Sequence, residues 1–264
     1  MTERRKSETE GRLEVDGANI AWKRIAGRGP TLIWLGGFRS EMSGTKAGAL
    51  AEWAAGQERD FLRFDYFGHG MSDGRFEAGT VTRWRADALA VLDRLTDGPV
   101  ILAGSSMGGW LACLVALARR TRIGGLLLIA PAADFTERLI APSLPRAARA
   151  ALHRDGVWRR PSPYEPCGYP ITRQFLEDGA RWSILPGPVP IEAPIRILQG
   201  GADPDVPWRH ALDLALAIKS EDLVFSLVRD GDHRLSRPED LARITAFAAE
   251  LADRSHGAGS PRPP

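Results

Sequence analysis

Short apolar runs with little charge recur along this chain, and all but one are followed by a stretch with helical periodicity. The runs are Thr31–Leu35 (TLIWL), Phe61–Asp65 (FLRFD), Pro99–Gly104 (PVILAG), Gly124–Ala130 (GGLLLIA), Pro194–Gly200 (PIRILQG) and Asp222–Val228 (DLVFSLV). Between and after them lie Gly44–Gly56, Thr82–Leu95, Gly108–Arg120, Trp208–Ile218 and Pro238–Arg254, which read as helices. A strand that is apolar throughout, rather than at every second residue, is buried on both faces. Strands of that kind alternating with helices imply a mostly parallel sheet sandwiched between helices. One hairpin signal, Asp16-Gly17 between Leu13–Val15 and Asn19–Ile25, adds two strands at the start. The expected fold class is therefore α/β, with a mostly parallel eight-stranded sheet and helices on both faces.

The alternation is interrupted from residue 132 to 194, a stretch rich in proline and arginine with little strand pattern. A structureless loop of that length is rare inside a compact domain. We read it as a small cap inserted into a core made of residues 13–131 and 195–254. Residues 1–12 and 255–264, the latter ending in SPRPP, are expected to be disordered.

Composition narrows the class of partner. A chain of 264 residues with a net charge of +2 gives no electrostatic reason to bind nucleic acid or an anionic membrane. No apolar run reaches the length of a membrane-spanning helix. The segment MTERRKSETEGR has no apolar stretch of the secretory kind, and its acids argue against a transit peptide, so the expected compartment is the cytoplasm. Of two cysteines, Cys113 lies in an apolar run and Cys167 beside Pro166. Neither a disulfide framework nor a metal spacing is present.

The segment AGSSMGGW, residues 103–110, carries the chemistry. Gly104, Ser106 and Gly108 fit G-x-S-x-G between a strand and a helix, the setting in which a serine is held exposed on a tight turn. In that register Ser106 is the nucleophile and Ser105 is not. The bland alternative is a helix cap. A serine hydroxyl needs a base, and the chain has five histidines. His153 lies in the expected cap, His256 in the tail, His69 before the nucleophile and His210 on a helix. His233 lies in the loop after the last strand, where sites of parallel sheets form. The order Ser…Asp…His then calls for an acid after the preceding strand, where both Asp203 and Asp205 stand. The acid would hold the imidazole tautomer and stabilise the imidazolium. Two backbone donors are needed for an oxyanion: the Met107 N–H, just after the nucleophile, and one from the Gly36-Gly37 turn, where the Phe38 N–H is placed.

Together these segments resemble the α/β-hydrolase superfamily over about residues 13–253. RFDYFGHGMSDG is similar to the family's D-x-x-G-x-G-x-S loop, which implies structural roles for Asp65, Gly68, His69, Gly70 and Ser72. QGGADPDVP is similar to its H-G-x-x-D-x-x-V-P stretch, a resemblance that selects Asp203 over Asp205, and GDHRLS matches its histidine loop. Leu35 and Gln199 depart from the pattern, standing where many relatives carry histidine before glycine. LGGFRSEMSGTKA and the phrase GVWRRPSPY resemble more narrowly the mitochondrial palmitoyl-protein thioesterase and acyl-glucuronide esterase branch. That resemblance implies cleavage of acyl esters or thioesters on small molecules or acylated proteins, with no cofactor and no metal, and brings in the mitochondrion as an alternative compartment. Rival readings are a small-peptide or amide hydrolase on the same residues, and a binding protein that kept only the fold. Arg138, Arg146, Arg149, Arg154, Arg159 and Arg160 of the cap could meet an anionic substrate, though solvated surface is the commoner role of such residues. Trp110 is expected in the core, and Ser40, Ser43 and Lys46 near the oxyanion turn.

Overall fold

The structure, a computed structural model, describes residues 8–162, 165–185 and 187–257. The chain opens with β1 (Thr9–Val15) and β2 (Ala18–Ile25), then β3 (Arg28–Leu35), α1 (Thr45–Gly56), β4 (Arg59–Phe64), α2 (Val81–Leu95), β5 (Val100–Ser105), α3 (Met107–Ala118) and β6 (Ile123–Ile129). It closes with β9 (Ile195–Gly200), α7 (Trp208–Ala217), β10 (Leu223–Val228) and α8 (Pro238–Gly257). Eight strands form one sheet in the order β1-β2-β4-β3-β5-β6-β9-β10. Only the β1–β2 and β2–β4 pairs are antiparallel.

The continuous apolar runs follow from burial on both faces. Ile33, Leu35, Leu102, Leu126 and Leu128 point into the layer under α2 and α3. Their alternating neighbours Leu32, Trp34, Ile101, Ala103, Leu127 and Ile129 point into the layer under α1 and α8. Arg196 is the exception in a buried strand, and a two-point pairing with Glu250 at 2.7 and 3.0 Å compensates its charge. Asp16 and Gly17 take φ of 44° and 78°, the paired left-handed geometry of a two-residue hairpin turn.

Two boundaries differ from the sequence reading. β1 starts at Thr9 rather than Leu13, so residues 9–12 are strand and not disordered. Being an edge strand, it carries Glu10, Arg12 and Glu14 and lacks the apolar run that marks a buried one. At the other end α8 continues to Gly257; residues 1–7 and 258–264 lie outside the described residues.

Between β6 and β9 the chain forms a π-helical turn (Thr136–Ile140), the single turn α4 (Ala141–Ser143), α5 (Arg146–Asp155), a hairpin of β7 (Val157–Ser162) and β8 (Glu165–Thr172), and α6 (Arg173–Ala180). One buried acid fastens this insertion to the core, and another closes the insertion on itself. Asp178 accepts from the Thr82 N–H and hydroxyl at 2.8 and 2.6 Å. Asp134 accepts from the Ser183 hydroxyl and from the Ile184 and Leu185 N–H groups at 2.7–2.9 Å. Among the described residues no helix is long and apolar enough to cross a membrane.

In sequence order β3 leads to β4 on one side, while β5 lies on its other side. The order therefore reverses at β3, and a crevice opens where β3 and β5 end, the usual position of a site in such sheets.

Candidate active site

Ser106 is the one residue between β5 and α3, with φ 55° and ψ −119°. A side chain at positive φ is strained, and such strain gathers at functional positions. The flanking glycines make the turn sterically feasible. A Cβ on Gly104 would lie 2.3 Å from the Gly108 carbonyl oxygen, and one on Gly108 would lie 2.0 Å from that of Leu35. Backbone bonds hold the turn: the Ser106 N–H donates to the Ile129 carbonyl at 2.9 Å, and the Ser106 carbonyl accepts from Gly109 and Ala132 at 2.9 and 3.1 Å. Ser105 is still in the strand and buried. Ser106 is half-buried at the crevice.

His233 Nε2 lies 3.1 Å from Ser106 Oγ, and its Nδ1 lies 2.8 Å from Asp203 Oδ2. Ser106, Asp203 and His233 are thus brought together from the ends of three different strands. The acid and histidine loops touch backbone to backbone, since a Cβ on Gly200 would lie 2.5 Å from the Asp232 carbonyl oxygen and one on Gly201 2.5 Å from that of Arg229. The Asp203 carboxylate is fully buried. Its Oδ1 accepts from the Asp205 and Val206 N–H groups at 2.9 and 2.8 Å, and Gln199 Nε2 reaches Oδ2 at 3.3 Å. Gln199, noted in the sequence only as a departure, therefore helps fix the acid. Asp205 faces outward, 3.6 Å from Arg160, and does not receive the imidazole. Donor atoms of Asp203, Asp205 and His233 lie within 4.8 Å of one another, but both Asp203 oxygens are already taken by the hydrogen bonds above. The histidine loop is tied to α1 by Lys46, whose Nζ donates to the Arg234 carbonyl at 2.5 Å. Burial pushes that ammonium down to about 8.

The turn after β3 passes against Ser106. A Cβ on Gly37 would sit 3.4 Å from Ser106 Cβ. Ser40 closes the turn with its N–H and hydroxyl on the Gly37 carbonyl, at 3.1 and 3.0 Å. Phe38 follows, and its ring enters an aromatic cluster with Phe76 at 4.8 Å, Phe175 at 5.3 Å, and Trp84 and Phe135 at 6.0 Å. His69 supports the turn from behind: its Nε2 accepts from the Arg39 N–H at 3.3 Å, and its Nδ1 meets the Phe67 carbonyl at 3.1 Å. Burial pushes His69 down to about 4, so it is neutral and can accept at one nitrogen while donating at the other. Asp65 accepts from Met42 and Met71 N–H groups at 2.6 and 2.8 Å, and Ser72 bridges the Asp65 carbonyl and the Ala21 N–H. Gly68 and Gly70 turn the same loop with φ of 72° and 43°. Ser43 faces solvent beside Glu41.

The insertion's arginines mostly meet acids: Arg159 with Glu77 at 3.7 Å, Arg160 with Asp205, Arg138 with Asp213 at 3.2 Å, and Arg154 with Asp155 at 2.6 Å. Arg149 instead donates to the Leu144 carbonyl at 3.1 Å, and Arg146 is exposed. Trp110 is fully buried, edge-on to Phe135. Cys113 is buried and its thiol pushed up to about 12, an inert position. His153 is exposed, while the side chains of Cys167 and His256 lie outside the described residues. His210 Nε2–H donates to the Ala133 carbonyl, 2.7 Å away. That bond steadies the segment whose Ala132 N–H holds the Ser106 carbonyl. The sequence gives no spacing signal for this role, nor for those of Asp134 and Asp178.

Known proteins resemble the chain over most of its length. The family described as "Serine aminopeptidase, S33" matches residues 31–166. The mitochondrial palmitoyl-protein thioesterase ABHD10 of Pongo abelii is 37% identical over 237 residues, 89% of this chain and 77% of that protein. A putative hydrolase from Agrobacterium vitis superposes with a TM-score of 0.90 at 42% identity, over 93% of this chain and 99% of that one. The α/β hydrolase domain-containing protein 10 from mouse does so at 0.85 and 36%, with the same coverage. The chain is therefore a serine hydrolase of the α/β-hydrolase family and belongs there with the ABHD10 proteins.

Proposed function

We propose that this chain hydrolyses carboxylic esters and acyl thioesters through a Ser106–His233–Asp203 triad and an acyl-enzyme. The observation that carries the reading is the continuous hydrogen-bonded path from Ser106 Oγ through both imidazole nitrogens to a buried carboxylate. Ser106 Oγ attacks the carbonyl carbon while His233 Nε2 takes its proton. Asp203 keeps the other imidazole proton on Nδ1 and stabilises the imidazolium. The Phe38 and Met107 N–H groups receive the oxyanion, whose charge is further favoured by the N-terminus of α3. As the tetrahedral intermediate collapses, the C–O or C–S bond breaks and His233 returns the proton to the leaving oxygen or sulfur. Water then gives a proton to His233 as it attacks the acyl-serine; the acyl C–Oγ bond breaks, His233 returns the proton to Ser106 Oγ, and the acid leaves.

The substrate class draws support from two sides. The palmitoyl-protein thioesterase names of the relatives point to acyl chains. In this reading the half-buried rings of Phe38 and Tyr169, backed by the buried Phe135 and Phe175, form the apolar wall on which an acyl chain lies. In this reading the insertion of residues 132–194 acts as the cap over that wall. A peptidase reading is favoured by one thing, the aminopeptidase description of the matching family. The compartment is part of the proposal too: the relatives are named as mitochondrial, and imaging a C-terminally tagged chain decides between the mitochondrion and the cytoplasm.

The test is a turnover panel of p-nitrophenyl esters, acyl thioesters of increasing length and aminoacyl anilides, run beside fluorophosphonate labelling. Ester and thioester turnover that is lost when Ser106 is labelled supports the proposal. Anilide cleavage without ester turnover overturns it, and so does a label on any other serine.

A further inference from the structure

The two edges of the main sheet are built differently. At β1 the exposed edge carries Glu10, Arg12 and Glu14 with Gly11 among them. Charges of this kind protect an edge strand from pairing with another chain. β10, at the opposite edge, reads Leu223-Val224-Phe225-Ser226-Leu227-Val228, with no charge and no proline, and its register against β9 is unbroken. Val224 and Leu227 are 42% and 45% exposed, and Leu216, on the α7 helix beside this strand, is 77% exposed.

The backbone pattern tells which groups face outward. The Asp222 and Val228 carbonyls accept from Ile195 and Gly201, on the β9 side. Strand periodicity therefore turns Val224 and Ser226 towards β9 as well, and leaves the N–H and C=O groups of Leu223, Phe225 and Leu227 pointing off the edge. Among the described residues no strand pairs with them.

We propose that β10 pairs antiparallel with β10 of a second copy of this chain about a two-fold axis through Phe225, which joins two sheets into one. The outward groups fix the register. In an antiparallel ladder the residues that exchange both hydrogen bonds stand opposite each other, so Phe225 faces its own counterpart and Leu223 faces Leu227. That register also sets Glu221 opposite Arg229, and by symmetry Arg229 opposite Glu221; both are exposed. The edge is thus complementary to itself in hydrogen bonds, apolar surface and charge, which is what a closed two-fold interface requires. A copy docking through β1 would meet the charges there instead.

Sedimentation velocity of the full chain over about a hundredfold range of concentration tests this, since association follows mass action. The wild-type chain is expected to sediment as a dimer that dissociates on dilution. Leu227→Lys, at an exposed position, should give a monomer that retains its circular dichroism and ester turnover. Glu221→Arg and Arg229→Glu should each weaken the dimer by about tenfold or more through like charges facing across the axis, and the double swap should restore it. Should Leu227→Lys fail to fold, the charge pair, which lies outside the strand, still decides the matter. A chain that is monomeric throughout, a dimer indifferent to Leu227→Lys or to the single charge reversals, or a double swap that recovers nothing overturns the proposal.

Discussion

Gly108 crosses Leu35 so closely that a methyl group on its α-carbon would lie 2.0 Å from the Leu35 carbonyl oxygen. The first turn of α3 and the end of β3 are thereby locked together, and with them Ser106 and the Gly36-Gly37 turn. Gly108→Ala has to push two backbones apart, and backbone yields far less than a side-chain tip. We expect a large fall in thermal stability together with loss of ester turnover. Gly48→Ala is the control: it lies within α1 with open space around it, so it should stabilise by about 1 kcal/mol. Equal melting temperatures for Gly108→Ala and wild type would show that the crossing is not tight in solution.

Ser106 and Ser105 are adjacent, but only Ser106 meets His233. Ser106→Ala should reduce ester turnover by roughly 10⁴-fold or more, as loss of a nucleophile does elsewhere. Ser105→Ala, inside the strand, should keep most of the activity. Steady-state kinetics on a p-nitrophenyl ester separates the two, and the reverse ranking would place the nucleophile in the wrong register.

Asp203 and Asp205 differ in what each holds. Asp203→Asn removes the carboxylate that keeps the proton on His233 Nδ1, so kcat should fall by roughly 10³- to 10⁴-fold in a chain that still folds. Asp205→Asn loses only the half-exposed contact with Arg160, an interaction worth less than about 1 kcal/mol. Comparable losses of kcat from both would rule out Asp203 as the acid that orients the imidazole.

His69 introduces an acid-sensitive element behind the turn that follows β3. Its ordinary value is 6.5, and burial pushes it down to about 4 in the folded chain. Between those values the unfolded chain binds a proton that the folded chain excludes, so stability falls as pH drops from 6.5 towards 4, by up to about 3 kcal/mol. Asp87, raised by burial to about 6, acts in the opposite direction: from about pH 6 downward the folded chain holds the extra proton. His69→Gln keeps a donor for the Phe67 carbonyl and an acceptor for the Arg39 N–H without titrating, and Asp87 is common to both proteins. The difference in unfolding free energy, measured in urea at pH 7 and pH 4.5, should therefore shift in favour of His69→Gln at the lower pH. A difference independent of pH would mean that His69 is solvated.

Much of this architecture is written in local pattern, and what is not has physical reasons. Leu126–Ile129 reads as a strand because both of its faces are buried, and every residue must then be apolar. The β7–β8 hairpin sits off the main sheet and is built from Arg159, Arg160, Pro161 and Pro170, so it carries neither alternation nor an apolar run. Ser106, Asp203 and His233 are suggested by chain order and strand ends, but two acids two positions apart satisfy that order equally. Only the resemblance of QGGADPDVP to a family stretch separates them in the sequence; in the fold, Asp203 is the one that contacts His233. Gln199, His210 and Asp134 act on backbone groups or side chains that only the tertiary fold brings near, such as the Ala133 carbonyl 77 residues from His210. No spacing rule can encode such a partner.

The same hairpin carries the last expectation, that substrate choice lies in the insertion and not in the triad. Arg159 fastens it to Glu77 on one side and Arg160 to Asp205 on the other, at 3.7 and 3.6 Å. Tyr169, opposite Arg160 in the hairpin register, leans edge-on towards Phe38, with ring centres 6.5 Å apart. Each ion pair is half-exposed and so weak, about 1 kcal/mol or less. Breaking both should loosen the hairpin without unfolding the core. A long acyl chain that gains positioning energy from this wall would then lose kcat/KM, whereas a short activated ester, which touches little beyond Ser106, would not. We expect Arg159→Ala combined with Arg160→Ala to lower turnover of a long acyl thioester selectively against p-nitrophenyl acetate. Raising the salt concentration should reproduce part of that loss in the wild-type chain and little of it in the variant, because screening acts on charges the variant lacks. Trp158→Ala offers a contrast, since Trp158 packs against the core. If all substrates fall in proportion in the arginine variant as well, the hairpin supports the fold and does not select the substrate.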